Sequence, residues 1–252
     1  MAALALALGG CATVPNPTRS DPWEGFNRPV HEFNEGVDRI FLRPVATFYR
    51  EKVPPLVRTG VSNFFGNLND VWSGANSLLQ FRLQDAADSI ARVNINTVVG
   101  FGGIVDVASN FNIERHREDF GQTLGRWGVP TGPYLVIPLL GPATLRDAAA
   151  LPVDLTLHPV SYLDSFALGQ ALFVLGIVDR RSNLLRVGMV LDEAALDKYS
   201  FIRDAHLQRR RAQVFDREAD DDRQTPPALP DESLDPATVQ PAAAQPAAPV
   251  AR

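Results

Sequence analysis

The sequence predicts an all-α domain, and three observations carry that reading. Apolar residues recur at spacings of three and four in several windows, and prolines stand where new helices would open. The longest uncharged segments are too short, or too broken by proline and glycine, to cross a bilayer as a straight helix, which takes about 20 apolar residues.

The folded part starts at Asp21-Pro22-Trp23-Glu24-Gly25-Phe26-Asn27-Arg28. Val30, Phe33, Val37 and Ile40 follow on one face while Glu32, Glu35 and Arg39 take others, so an amphipathic helix is predicted over residues 28–41. Pro44 and then Pro54-Pro55 open further helices, because proline is pre-set for a first helical turn and its missing N–H is not needed there. One of these helices puts Val57, Val61, Phe64 and Leu68 on a stripe, another covers residues 71–79, and a fourth carries Leu83, Ala87, Ile90 and Val93. Gly100-Phe101-Gly102-Gly103 then interrupts the apolar run of residues 93–105. A dinucleotide fingerprint is excluded, since Val105 stands where its third glycine belongs and no strand pattern precedes it. A Gly-rich bend between two apolar helical halves is expected instead.

The centre of the chain is FGQTLGRWGVPTGPYLVIPLLGPATLRD, residues 120–147, in which the 18 positions 127–144 carry no formal charge. Pro130, Pro133, Pro138 and Pro142 fall inside it, each lacking an N–H, so no continuous helix satisfies its backbone. The expectation is a broken, hinged, apolar loop; the bland alternative is a Pro-rich core loop. Gly128 and Gly132 are the expected hinges, with Tyr134, Leu135 and Ile137 presenting apolar surface and Gly141 in the same loop.

Beyond it, Thr144 precedes Leu145-Arg146-Asp147 as a helix start. Residues 165–178, SFALGQALFVLGIV, are uncharged between Asp164 and Asp179 and apolar nearly all round, which predicts a buried or membrane-interfacial helix. A last, strongly charged helix is predicted over residues 192–217. Arg203, Arg210 and Arg217 share a face there, either docking an acidic partner or phosphate headgroups or simply facing water. From Gln224 the composition falls to Ala, Pro and a few polar residues, too poor in core formers to fold.

A net charge of −5 over 252 residues lacks the basic footprint of a nucleic-acid binder. The single cysteine, Cys11, excludes an internal disulfide framework and a cysteine-based zinc cluster. It ends an apolar run at Leu8-Gly9-Gly10-Cys11, similar to a bacterial lipobox, in which small residues give a signal peptidase access to the bond before a cysteine that is then lipidated. The first positive charge is Arg19, so the usual basic leader is missing and a start upstream of Met1 is expected. Ala12 after the cysteine, in place of an acidic residue, points to outer-membrane sorting with the folded part facing the periplasm. The expected organisation is a signal peptide over residues 1–10, a lipidated tether over 11–20, a helical domain over 21–218 and a disordered tail over 219–252.

No Gly-x-Ser-x-Gly elbow, phosphate-binding Gly-Lys-Ser/Thr loop or His-Glu-x-x-His helix occurs, and the four histidines are scattered singly. Asp147 and Asp154 are spaced for one helix face but read as caps and surface charges before a catalytic pair. An enzyme is the weaker class, and no cofactor or metal is expected.

The strings DPWEGFNRPVHEFN, SNFFGNL, INTVVGFGGIVDVAS, FGQTLGRWG and GPYLVIPLLGPATLRD resemble the MlaA (VacJ) family of outer-membrane phospholipid-transport lipoproteins, over about residues 21–211. The resemblance implies a ring-shaped helical domain in the inner leaflet of the outer membrane, with a central amphipathic channel beside the hinged loop. It implies extraction of mislocalised phospholipid from the outer leaflet, a trimeric porin as neighbour and a soluble periplasmic lipid carrier as recipient, without catalysis. Phe33, Asn34 and Asp147 are the candidate channel-helix residues, and Arg203, Arg210 and Arg217 the candidate carrier-docking residues. At Pro130 the family more often has glycine, which bears on the loop's mobility. A structural envelope lipoprotein and a lipid hydrolase are the rival classes.

Overall fold

The computed structural model describes residues 20–216. Cys11, the expected lipidation site, Arg217 and the tail expected over residues 219–252 lie outside the described residues. Helices dominate, as expected, with one two-stranded sheet set among them.

Helix α1 spans Glu24–Val37 and runs through a π-turn, Asp38–Leu42, into α2, Arg43–Lys52. A helix end was expected before Pro44. Instead the Arg43 N–H reaches back five residues to the Asp38 carbonyl, and this wider turn accommodates the proline ring without a break. The Asp38 carboxylate is forked by Arg181 at 2.6 and 2.8 Å, which ties the π-turn to a later helix.

Pro54 and Pro55 open α3, Pro55–Leu79, as the sequence suggests. The two helices expected between residues 57 and 79 are one. Asp70, at the expected break, turns inward and lies between Arg92 and Arg115. A short turn at Phe81, where φ is +60°, leads into α4, Leu83–Val98. α3 and α4 approach closely at Gly74, where a Cβ would meet Ser89 Cβ at 3.3 Å.

No second apolar half-helix follows the glycine cluster. Phe101, Gly102 and Gly103 all have positive φ, and Gly103 N–H bonds the Asn96 carbonyl, so the chain reverses on itself. A 3₁₀ turn, Ala108–Phe111, and an extended segment lead to α5, Phe120–Arg126, capped by the Asp119 carboxylate on Gln122 N–H at 2.8 Å.

The central stretch is an ordered antiparallel hairpin. β1, Tyr134–Ile137, pairs with β2, Gly141–Thr144, in the register Tyr134 to Thr144, Leu135 to Ala143, Val136 to Pro142 and Ile137 to Gly141. Thr144 then caps α6, Leu145–Leu157, by accepting from Asp147 N–H at 3.2 Å, the expected helix start. After a 3₁₀ turn, Pro159–Tyr162, α7 runs over Phe166–Ala194 and α8 over Lys198–Arg211, followed by a π-turn at Ala212–Asp216. The uncharged segment of residues 165–178 is the first half of α7, which continues through Asp179. Phe173, Val174 and Ile177 in it are exposed rather than buried. A small apolar core forms where Tyr134, Val136 and Tyr199 meet Val30 and Leu207.

Candidate functional site

Polarity in this fold is inverted relative to a water-soluble domain. Among the described residues 22 polar or charged side chains are buried against 11 hydrophobic ones, while large apolar residues such as Phe41, Phe48, Leu56, Phe101, Phe166 and Val187 are exposed. Water outside would penalise that arrangement, because exposed apolar area of this extent is a contact surface for membrane or partner. Hydrocarbon outside would favour it, provided that every inward polar group finds a partner. No helix among the described residues is long and apolar enough to cross a membrane.

The inward face of α3 shows how most of the partners are supplied, although Asn67 Oδ1, Ser77 Oγ and Gln80 Oε1 have none among the described residues. Asn67, Asp70, Ser73, Asn76 and Ser77 are buried along it at helical spacing, with Gln80 just beyond the last turn. Arg92 of α4, 1% exposed, donates to Asp70, to both Asp106 oxygens at 2.8 Å and to the Ile113 carbonyl at 2.5 Å. Arg115 completes a two-cation, two-carboxylate cluster through Asp70 at 3.2 Å and Asp106 at 3.5 Å. Burial pushes the Asp70 carboxyl above its ordinary value despite both arginines, while Asp106, less buried and also bonded by Ser109 and Asn96, is held below it.

A second cluster joins α5, α6 and α8. Arg210 donates to Asp119 at 2.7 and 2.9 Å and to Asp147 at 2.8 Å, and Arg146 bonds Asp147 at 3.3 Å. Burial alone would raise the Asp119 carboxyl; the Arg210 guanidinium and the Gln122 amide outweigh it and hold it below the usual carboxylate range. His206, one turn earlier on α8, is driven the other way: burial and then the positive charge of Arg210 lower it to about 4.

Each predicted site residue can now be placed. Gly128, Gly132 and Gly141 all have positive φ, +90°, +70° and +91°, so each occupies a turn that disfavours side chains. Nothing lies within 4 Å of a Cβ built on Gly128 or Gly141, whereas one on Gly132 would meet Leu145 Cβ at 3.0 Å. Leu135 and Ile137 are half-buried, but Tyr134 is 1% exposed and faces the apolar core. The expectation that Tyr134 offers surface to a lipid is therefore corrected: the strand's period of two turns it inward with Val136. Phe33 is exposed on α1. Asn34 reaches the hairpin, donating to the Ile137 carbonyl and accepting from Leu139 N–H, and Asp147 lies in the second cluster.

The expected docking face of Arg203, Arg210 and Arg217 does not stand. Arg203 is buried against Asp21, Glu24 and Asp204, and Arg210 against Asp119 and Asp147, because a guanidinium inside a dry fold is stable only when its donors are taken up. Arg217 lies outside the described residues. Asp154 is likewise no surface charge; it accepts from Trp72 Nε1 and Phe120 N–H.

Sequence reasoning missed Asn27, Arg92, Asp106 and Asp119, whose partners are far along the chain. Only Asp119, standing just before a short apolar segment, carried a local signal, that of an N-cap. Among the described residues no three His, Cys, Asp or Glu are grouped to hold a metal ion. A groove of about 180 Å³ between the 3₁₀ turn at Pro159 and α7, lined by Val160, Leu163, Phe166 and Phe173, is too small for a two-chain lipid, since even drug-sized ligands take roughly 300–1,000 Å³.

A family model described as MlaA lipoprotein matches residues 19–213. The chain is 38% identical over 216 residues to the intermembrane phospholipid transport system lipoprotein MlaA of Shigella flexneri, covering 81% of this chain and 85% of that protein. It is 32% identical to the protein of the same description from Haemophilus influenzae, covering 91% and 94%. A solved structure described as "Structural basis for maintenance of bacterial outer membrane lipid asymmetry" superimposes with a TM-score of 0.68 at 38% identity, covering 78% of this chain and 100% of that one.

Proposed function

We infer the function from one premise, that the chain belongs to the MlaA lipoprotein family. It is a lipoprotein of intermembrane phospholipid transport that serves outer-membrane lipid asymmetry. In the finer reading it is anchored through Cys11, lies in one leaflet of the outer membrane on its periplasmic side, and draws mislocalised phospholipid from the outer leaflet. A trimeric porin is the proposed neighbour and a soluble periplasmic lipid carrier the proposed recipient. The proposed channel runs through the domain next to the hairpin, and no bond of the lipid is broken.

The observation that carries this reading is the inverted polarity: buried Arg92, Asp70, Asn76 and Gln122 inside, exposed Phe41, Phe48 and Val187 outside, and, among the described residues, no helix long and apolar enough to cross. A protein of that character fits a membrane it does not span. It also lowers the cost of lipid movement, because a charged headgroup that travels along polar groups avoids a transfer into hydrocarbon that costs many kcal/mol. Gly128 is the proposed hinge of the loop before β1, since nothing packs on it and its turn tolerates glycine best.

The test is reconstitution of the lipidated protein in vesicles carrying a fluorescent phospholipid, with transfer to a soluble acceptor followed over time. Protein-dependent transfer of intact lipid supports the reading. Absence of transfer with the porin and carrier both supplied overturns it, and release of free fatty acid would make the protein a hydrolase.

A further inference from the structure

Two glycines of α7, Gly169 and Gly176, lie two turns apart on one face and have different surroundings. A Cβ on Gly176 would meet the Phe65 ring at 3.3 Å, so glycine there lets α7 lie close on α3. A Cβ on Gly169 would find only the Val160 carbonyl oxygen, at 3.8 Å, which is ordinary contact. Its backbone is helical, and glycine is the poorest helix former after proline. Neither packing nor backbone calls for glycine at 169. What its missing side chain leaves open is the groove of about 180 Å³ between α7 and the 3₁₀ turn Pro159–Tyr162.

The walls of this groove are held by contacts made elsewhere. The 3₁₀ turn is tied to α3, where His158 Nε2 and Asn69 Oδ1 lie 3.0 Å apart, and to α6, where the Ser161 hydroxyl donates to the Leu155 carbonyl at 2.5 Å. α7 is set on α3 by the approach at Gly176 and by Ser62, which donates to Asp179 at 2.7 Å. The opening is therefore pre-formed, as ligand sites commonly are.

The lining states what fits. Val160, Leu163, Phe166 and Phe173 supply apolar surface. Both serines of the lining turn their hydroxyls to the backbone, Ser161 as above and Ser165 by accepting from Leu168 N–H at 3.3 Å, which leaves Gln170 as the other polar side chain. An apolar recess of this kind stays dry and takes hydrocarbon; one of about 150 Å³ holds a benzene ring, so this groove suits roughly a six-carbon length of one chain.

The surroundings select the occupant. Between Asp154 and Asp179 the chain carries one formal charge, Asp164, since burial keeps the His158 ring below its ordinary value and neutral. Phe166 and Phe173 belong both to the groove and to the exposed apolar face that continues over Val174 and Ile177. That face is part of the surface read above as lying against hydrocarbon, so acyl chains are its most concentrated neighbours. A helix of a partner protein, about 10 Å across with its side chains, is too wide to enter.

We propose that this groove seats the end of one acyl chain of a phospholipid, and that residue 169 lacks a side chain so that the acyl chain can enter. The proposal rests on the transport reading above and adds a place where the lipid is held by its tail. The lining shares no residue with the hairpin, so this contact is separate from the proposed channel.

Gly169→Leu is the informative variant, because its side chain fills the groove while favouring the helix. The full lipidated protein and this variant, held in amphipol, are irradiated with a phosphatidylcholine bearing a diazirine at the end of one acyl chain. Label on residues 159–173 is measured by mass spectrometry relative to the peptide containing Phe48, an exposed residue of α2 that reports general contact with lipid. The wild type should show saturable label on residues 159–173. In the variant the relative label should fall about tenfold, with a thermal midpoint equal to or above that of the wild type. Equal relative label in the two proteins overturns the groove, and vesicle transfer by both would then leave the transport reading standing. Palmitate competing as strongly as phosphatidylcholine marks a fatty-acid site and overturns the phospholipid assignment. A lower midpoint in Gly169→Leu shows that the space is not open and overturns the proposal as well. Wild-type protein that neither takes up label nor transfers lipid removes the transport reading itself.

Discussion

Asn27 and Asn34, seven residues apart on α1, grip the same hairpin with the same pair of bonds. Asn27 Nδ2 donates to the Tyr134 carbonyl at 3.1 Å while its Oδ1 accepts from Val136 N–H at 2.9 Å. Asn34 Nδ2 donates to the Ile137 carbonyl at 3.0 Å while its Oδ1 accepts from Leu139 N–H at 2.7 Å. A side-chain amide has the donor and acceptor of a peptide unit, so Asn27 serves the outer edge of β1 as a neighbouring strand would, and Asn34 does the same for the turn that follows it.

The two grips differ in burial, which sets the expected costs. Asn27 is fully buried and also donates to Asp21 at 2.8 Å, so Asn27→Ala leaves a buried N–H and a buried carbonyl without partners and should cost roughly 2–5 kcal/mol. Asn34 holds the hairpin tip, where Leu139 is exposed and water can replace the amide, so Asn34→Ala should cost only about 1 kcal/mol. Denaturant unfolding in detergent measures both, and equal costs would contradict the clamp.

His206 gives the fold an acid-sensitive step. Its Nε2 is buried without a partner, its ring packs edge-on against Tyr134 at 6.1 Å, and the groups acting on it are Arg210, Asp147, Arg209 and Asp119. A folded value near 4 against an ordinary 6.5 means that the unfolded chain takes up the proton first. Its contribution is complete above pH 6.5 and is lost as pH falls toward 4, on the order of 2–3 kcal/mol. His206→Phe should keep the ring contact and flatten stability over that window. An unchanged slope in thermal midpoint against pH would sink the assignment.

The helices were legible because their signals are local. Thr144 before Leu145-Arg146-Asp147, the Pro54-Pro55 opening of α3, and the stripe of α4 all depend on residues within a few positions. The hairpin was misread for a reason equally physical. The four prolines looked like breaks, but Pro133 lies before β1, Pro138 lies in the turn, and Pro142 sits in a two-stranded ribbon that tolerates its missing N–H, while Tyr134 and Val136 alternate with Leu135 and Ile137 as a strand requires. Which face of a helix is inside was not legible at all. An amphipathic pattern is the same whether water or lipid lies outside, and only the meeting of Asp70 with Arg92 and Arg115, far apart in sequence, decides it.

Glycine at 128 and 132 separates a hinge from fixed geometry. Proline at either position would demand a φ near −65° where the structure has +90° and +70°, so alanine is the informative substitution. Gly128→Ala adds a methyl to open space and should cost about 1 kcal/mol through backbone conformation alone. Gly132→Ala adds to that a contact at 3.0 Å with Leu145 Cβ and should cost about 2–3 kcal/mol. If Gly128 is the hinge, its alanine variant alters lipid transfer at normal abundance; unaltered transfer would leave it a turn residue.

Arg210 distinguishes a structural cation from a docking one. It is held by three hydrogen bonds to Asp119 and Asp147, and a Cβ on neighbouring Gly121 would lie 2.8 Å from its Nη2, so the guanidinium fills its site completely. Removing it leaves, among the described residues, Asp147 only Arg146 and Asp119 only the Gln122 donors, and the loss of a buried partner costs about 3–5 kcal/mol. Arg210→Ala should therefore lower the thermal midpoint sharply and deplete the protein in cells. Asp119, held below its ordinary value by Arg210, adds stability that is complete above pH 4 and fades as acid titrates it, and in the variant this low-pH loss should shrink. A docking role predicts the opposite pattern, with normal abundance and weakened carrier binding that depends on salt. Abundance, midpoint and carrier affinity measured on the same preparation decide between them: a stable, abundant Arg210→Ala protein with impaired carrier binding would return this residue to the surface.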